Sequence, residues 1–376
     1  MGETSGGGGW RRAGIVGAAI GVLAAGAAAG VAVERLTVGR SVRQKARLAL
    51  DATGPYGTLR GTPGRALADD GTVLAYEVDE VDETDETDDV DGAGGAASSP
   101  VTVVFSHGFC LSQDSWHYQR AALRGRVRAV YWDQRGHGRS ARGAGEPVTI
   151  ERLGRDLKAV VDAAAPEGPL VLVGHSMGGM TVMALADRHP ELIRDRVAGV
   201  AFVGTSPGRL EEVSYGLPLA GVNAVRRVLP GVLRALGSQA ELVEKGRRAT
   251  ADLFAGLVKK YSFASQDVDP AVVRFAERMI ESVPVDVVAQ FYPAFGAHDK
   301  LAALAAFRGL PALALAGEQD LVTPASHTEA IAAELPGGEL VVVPDAGHLV
   351  MLERPDAVTD ALTALLARAG EGPDNG

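Results

Sequence analysis

From Val101 onward, short runs of apolar β-formers alternate with longer amphipathic stretches, and this rhythm restricts the chain more than any other feature. "VTVVFS" (101–106), "VRAVYW" (127–132), "PLVLVG" (169–174) and "VAGVAFVG" (197–204) read as strands. Between them lie helical patterns: "DSWHYQRAALRG" with Asp114 as its N-cap, "TIERLGRDLKAVVDAAA" (149–165) and "MTVMALADRHP" (180–190). The rhythm resumes with "PALALAG" (311–317), a helix from about Thr323, "ELVVVP" (339–344) and a last helix ending near Ala369. Strands that are apolar along their whole length are buried on both faces. The pattern therefore predicts an α/β fold, a mostly parallel sheet covered by helices on both sides.

Ahead of this region, "GRALADDGTVLAYEV" (64–78) reads as two short strands turning at Asp70-Gly71. Between about 206 and 300 the alternation stops. That region is helical in pattern, broken by Pro218, Pro230, Pro270, Pro284 and Pro293. It is far longer than an ordinary connection, which makes it an inserted helical lid. Its apolar stretch 215–237 reads either as a cover for a hydrophobic substrate or as helix faces packed on the core. The expected organisation is an N-terminal region over 1–60, a main domain over 61–369 carrying the lid, and a tail over 370–376.

The formal charge of −10 is local in origin. "EVDEVDETDETDDVD" (77–91) holds ten acids and no base, and reads as a solvated acidic loop. No basic stripe points to nucleic acid. Cys110 is the only cysteine, so neither an intrachain disulfide nor a thiolate metal cluster can form, and it reads as a small filler. Ala13 to Val33 carries no charge across 21 positions. As a helix it would span roughly 31 Å, enough to cross a hydrocarbon core. Arg35, Arg40, Arg43, Lys45 and Arg47 follow it, against Arg11 and Arg12 before it. This favours a single-pass membrane anchor with the main domain cytoplasmic, a secreted protein with a signal peptide being the alternative.

In open parallel sheets, ligands bind beyond the carboxyl ends of the strands. The residues just past each strand are therefore informative. His107-Gly108-Phe109 comes after the first, "DQRGHGRS" (133–140) after the second, and Gly174-His175-Ser176-Met177-Gly178 spans the end of the third. Glu318-Gln319-Asp320 comes after "PALALAG", and Asp345-Ala346-Gly347-His348 after "ELVVVP". Ser, Asp and His thus occupy three strand ends in that order. A serine hydroxyl needs a base to become a nucleophile, and a neutral imidazole suits the task.

Over roughly residues 64 to 369 the sequence resembles the α/β-hydrolase superfamily. G-H-S-M-G matches the G-x-S-x-G nucleophile elbow, and the Ser…Asp…His order matches as well. The resemblance implies Ser176 as nucleophile, His348 as base and Asp320 as the acid that orients it. It assigns the oxyanion hole to the backbone N–H groups of Phe109 and Met177. His107 and His175 are read as holding loops through ring hydrogen bonds, and Asp133 as holding its own turn. The expected chemistry is transfer of an acyl group from a small hydrophobic ester to water, with no metal or organic cofactor. A perhydrolase or a C–C bond hydrolase would use the same triad, and a catalytically silent binding member of the fold is the non-enzymatic alternative.

Overall fold

The computed structural model describes residues 54–82, 101–143, 148–214, 227, 231, 259–265 and 267–370. Eight strands form one sheet: β1 (Thr62–Leu67), β2 (Val73–Asp79), β3 (Thr102–Ser106), β4 (Arg128–Trp132), β5 (Leu170–His175), β6 (Val197–Val203), β7 (Ala312–Gly317) and β8 (Glu339–Val343). Their order is β1-β2-β4-β3-β5-β6-β7-β8. β1 and β2 form the expected hairpin, with Gly71 at φ +82 in the turn, and β2 runs antiparallel to β4. Every other neighbouring pair is parallel.

Period two along these strands divides the core into two layers. Phe105, Tyr131, Val171, Val173, Val203 and Leu315 face one side. Val104, Trp132, Leu172, Phe202 and Ala314 face the other. Helix α1 (His117–Leu123) and α9 (Pro355–Gly370) cover the first face. α2 (Ile150–Ala164), α3 (Met177–Arg188) and α7 (Ala325–Glu334) cover the second. α4 (Pro190–Arg196) leads into β6, and the short α8 (Val350–Glu353) precedes α9. Thr149 caps α2 by accepting the Arg152 N–H at 3.1 Å. Of the lid, the structure describes residues 206–214, 227, 231, 259–265 and 267–300, the last stretch carrying α5 (Pro270–Ser282) and α6 (Val285–Gly296). Its apolar stretch 215–237 lies almost wholly outside the described residues.

The register aligns the carboxyl ends. Ser106 sits opposite both Trp132 and Gly174, His175 opposite Val203, and Gly317 opposite Val343. The loops after β3, β4, β5, β6, β7 and β8 therefore emerge along one edge.

Two expectations are corrected. The acidic loop does not begin at 77: Glu77 and Asp79 lie in β2 and are 2% and 4% exposed. Arg120, itself buried, neutralises both, its Nη1 2.7 Å from Glu77 Oε2 and its Nη2 2.7 Å from Asp79 Oδ1. Desolvated carboxylates are tolerated only with such partners. Residues 83–91 lie outside the described residues. Asp114 is not an N-cap either. Ser112 caps a 3₁₀ turn at Gln113–Trp116 that precedes α1, while Asp114 pairs with Arg60 at 2.8 Å. The expected anchor at 13–33 lies outside the described residues. Among those described, no helix is long and apolar enough to cross a membrane.

Candidate active site

β5 ends in a turn that only small residues permit. A Cβ on Gly174 would stand 2.5 Å from the Gly179 nitrogen, and one on Gly178 would stand 2.1 Å from the Ser106 carbonyl oxygen. The turn places Ser176 at φ +52, a conformation that costs a non-glycine residue about 1–3 kcal/mol and recurs at functional sites. The strain projects the hydroxyl beyond the sheet at the N-terminus of α3, where the first N–H groups have no partner within the helix.

The structure brings Ser176, His348 and Asp320 together. Ser176 Oγ lies 3.0 Å from His348 Nε2, and His348 Nδ1 lies 2.8 Å from Asp320 Oδ2. A carboxylate can only accept, so Nδ1 carries the proton and Nε2 is left to accept from the serine hydroxyl. Asp320 is itself held: its Oδ1 accepts the N–H groups of Val322 at 2.7 Å and Thr323 at 2.9 Å. This Asx turn fills the stretch where a helix was expected from Thr323, and α7 starts only after Pro324.

The sequence reading missed Thr323. Its hydroxyl donates to the Gly204 carbonyl at 2.8 Å and lies 2.9 Å from Asp320 Oδ2 and 3.3 Å from His348 Nδ1. Its spacing three residues after an Asp, ahead of a proline, was the available signal.

The loop after β3 carries Phe109 beside the elbow. Two histidines bracket it. His107 Nδ1–H donates to the Gly108 carbonyl at 2.7 Å, while its Nε2 accepts the Gln134 N–H at 2.9 Å. His137 Nδ1–H donates to the Arg135 carbonyl at 2.9 Å, while its Nε2 accepts the Cys110 N–H at 3.1 Å. Burial disfavours the imidazolium form and pulls His107 down to about 4 and His137 to about 3. His175 is also held well below its ordinary value, first by burial and then by His348 nearby; its Nε2–H donates to the His348 carbonyl at 2.9 Å. The expected loop-holding roles of His107 and His175 correspond to these bonds. Asp133 accepts the N–H groups of Gln113 at 2.8 Å and Arg139 at 2.9 Å, which holds its turn.

The Phe109 ring stacks on Phe291 with centroids 5.6 Å apart and meets Phe295 edge-on at 5.0 Å. Both partners belong to α6, so the lid adds an apolar wall beside the Phe109 loop. Cys110 sits at φ +58 at the edge of this cluster, and burial pushes its thiol up to about 12. It is a protonated filler and not a thiolate. Among the described residues no group of three His, Cys, Asp or Glu side chains could hold a metal ion.

A strand-ended sheet, a strained serine at a strand-to-helix turn and a Ser-His-Asp alignment define a class. The chain belongs to the alpha/beta hydrolase fold family, which it matches over residues 101–355. It is 30% identical over 272 residues to the sn-1-specific diacylglycerol lipase ABHD11 of Mus musculus, covering 70% of this chain and 80% of that one. It is 28% identical to the dihydrolipoyllysine-residue acetyltransferase component of the acetoin cleaving system of Pseudomonas putida, covering 71% of this chain and 63% of that one. The enol-lactonase from Burkholderia xenovorans LB400 has a structure similar to this one, with a TM-score of 0.61 and 25% identity, covering 81% of this chain and all of that one.

Proposed function

We propose that this protein is a serine hydrolase that cleaves a carboxylic ester or similar acyl substrate through an acyl-enzyme. The observation that carries the reading is the continuous relay from Ser176 Oγ through the His348 ring to Asp320, with contacts of 3.0 and 2.8 Å. Similarity to a lipase and a lactonase supports the ester bond as the target.

In this reading Ser176 Oγ attacks the substrate carbonyl carbon as its proton passes to His348 Nε2. Asp320 stabilises the imidazolium and holds its orientation. The carbonyl oxygen becomes an oxyanion, received by the backbone N–H groups of Phe109 and Met177. His348 then protonates the departing alkoxide, leaving an acyl group on Ser176. A water molecule, deprotonated by the same Nε2, attacks that ester and releases the acid, and the proton returns to Ser176. The aromatic wall of Phe109, Phe291 and Phe295 favours an apolar acyl or alcohol group. We place residues 13–33 as a single-pass anchor that would hold this site near a membrane.

The test is labelling of the full chain with a fluorophosphonate, alongside Ser176→Ala, followed by hydrolysis of p-nitrophenyl esters of increasing chain length. Labelling of the wild type that vanishes in the variant supports an activated serine, and the preferred chain length describes the apolar wall. Absence of both labelling and hydrolysis in folded wild-type protein would sink the reading.

A further inference from the structure

The backbone around His348 is tied to lid segment 262–265 directly on one side and through Glu353 on the other. After the histidine, the Leu349 N–H donates to the Ser262 carbonyl at 2.9 Å. Before it, the Gly347 N–H donates to Glu353 Oε2 at 2.6 Å. Glu353, at the end of α8, is 7% exposed. Its carboxylate also accepts two N–H groups of the lid segment, from Ala264 at 3.0 Å and from Ser265 at 2.7 Å, both to Oε1. One buried anion thus gathers three backbone donors from two parts of the chain that are far apart in sequence. A carboxylate only accepts, and bonds to its charge are about twice as strong as neutral ones.

The two backbones lie unusually close. A Cβ on Gly347 would stand 2.9 Å from the Ala264 nitrogen and 3.0 Å from the Ser262 carbonyl oxygen. Residues 262–265 are thus bonded to the peptide units on either side of His348, directly at Leu349 and through Glu353 at Gly347. The ring itself is aimed by Asp320, but the backbone from which it hangs is set by the lid. We propose that Glu353 is a positioning residue that couples the seating of lid segment 262–265 to the placement of His348. The inference rests on the reading of His348 as general base. It makes a seated lid a condition for efficient acylation, because displacing a catalytic group by about 1 Å can cost roughly 10²-fold in rate.

Two variants of the full chain test this. Glu353→Gln turns one acceptor oxygen into a donor facing the converging N–H groups. Ser265→Pro deletes one of those N–H groups on the lid side and leaves the histidine loop untouched. Three quantities are read: kcat and KM on a p-nitrophenyl ester, the rate of fluorophosphonate labelling, and amide exchange in segments 259–265 and 345–352. With Glu353→Gln, kcat and labelling should fall roughly 10- to 100-fold with KM within about twofold. Both segments should lose protection together while β5 keeps its own. With Ser265→Pro, protection at 345–352 should also fall, with a smaller loss of kcat. If Ser265→Pro leaves 345–352 as protected as in the wild type, the loop does not follow the lid and the proposal is overturned. Retention of wild-type kcat by Glu353→Gln overturns it as well. If Glu353→Gln does not fold, Ser265→Pro decides alone. A wild type that is never labelled would remove the hydrolase reading, and the exchange result would still decide the coupling.

Discussion

Two arms flank Ser176, and each is built around imidazole. On the arm that carries Phe109, His107 and His137 each donate to a backbone carbonyl and accept from a backbone N–H. On the other arm, His348 donates to the Asp320 carboxylate and accepts from a hydroxyl. The rings are chemically identical. The groups facing their two nitrogens assign their roles. An imidazole whose two nitrogens both face peptide groups has no carboxylate bonded to it, and burial outweighs any nearby charge and holds it neutral, so it serves as a bracket. An imidazole between a carboxylate and a hydroxyl can take a proton and return it. His175 makes the contrast sharper, since its ring centroid lies only 4.8 Å from that of His348, yet it is used to hold the His348 carbonyl.

The largest effect is expected from removing the proposed base. His348→Ala should lower kcat by about 10⁶-fold while leaving the thermal midpoint nearly unchanged, because removing one member of a cooperating triad costs about as much as removing all of it. A loss below tenfold would show that another group takes the proton.

Acid should strike the brackets. The ordinary value for His107 is 6.5, and burial lowers it to about 4 in the folded chain. Above pH 6.5 the ring is neutral in both states and its contribution to stability is complete. As pH falls below 6.5 the unfolded chain takes up a proton that the folded chain refuses, so stability is lost down to about pH 4. Between pH 7 and pH 5 this amounts to about 2 kcal/mol from His107 alone. Urea unfolding across that range reads it, and a flat or rising stability would contradict the bracket role.

A single bracket can also be removed. His137→Ala strands the Cys110 N–H and should cost about 1–3 kcal/mol of stability. Because the Phe109 loop, the proposed oxyanion loop, loses a tether, kcat should fall roughly tenfold with little change in KM, an effect far smaller than that of His348→Ala. Equal losses from His137→Ala and His348→Ala would erase the distinction between the arms.

The smallest effect is expected at Cys110. Its thiol is pushed up to about 12, so it carries no reactive thiolate at neutral pH. Cys110→Ala should leave kcat within about twofold, and iodoacetamide should modify the native chain slowly at pH 8. Rapid loss of activity on alkylation would place the thiol closer to the substrate than its packing implies.

How much could be read from the sequence depends on how local each signal is. The sheet was legible because a strand buried on both faces must be apolar along its length, as in "PLVLVG". The elbow was legible as a motif, and the steric demand on Gly174 acts within five residues, at Gly179, whereas that on Gly178 comes from the Ser106 carbonyl at the end of β3. Glu77 and Asp79 misled, since they open a fifteen-residue stretch with ten acids that looks solvated until Arg120 on α1 is found paired with these two. Asp114 misled for a smaller reason, as Ser112 two residues earlier supplies the cap.

By itself, then, the sequence determined the alternation of strands and helices, the crowded turn that lifts Ser176, and the order in which Ser, Asp and His reach the strand ends. The alternation and the order are fixed by periodicity and by the covalent order of the chain, and the Gly174 side of the turn by sterics within five residues. Tertiary structure alone decided which of eight histidines meets both a carboxylate and a hydroxyl, with partners 28 and 172 residues away. It also decided that Glu353 would gather N–H groups from positions 264, 265 and 347. A backbone donor leaves no mark on residue identity, and such contacts exist only once distant segments have packed against each other.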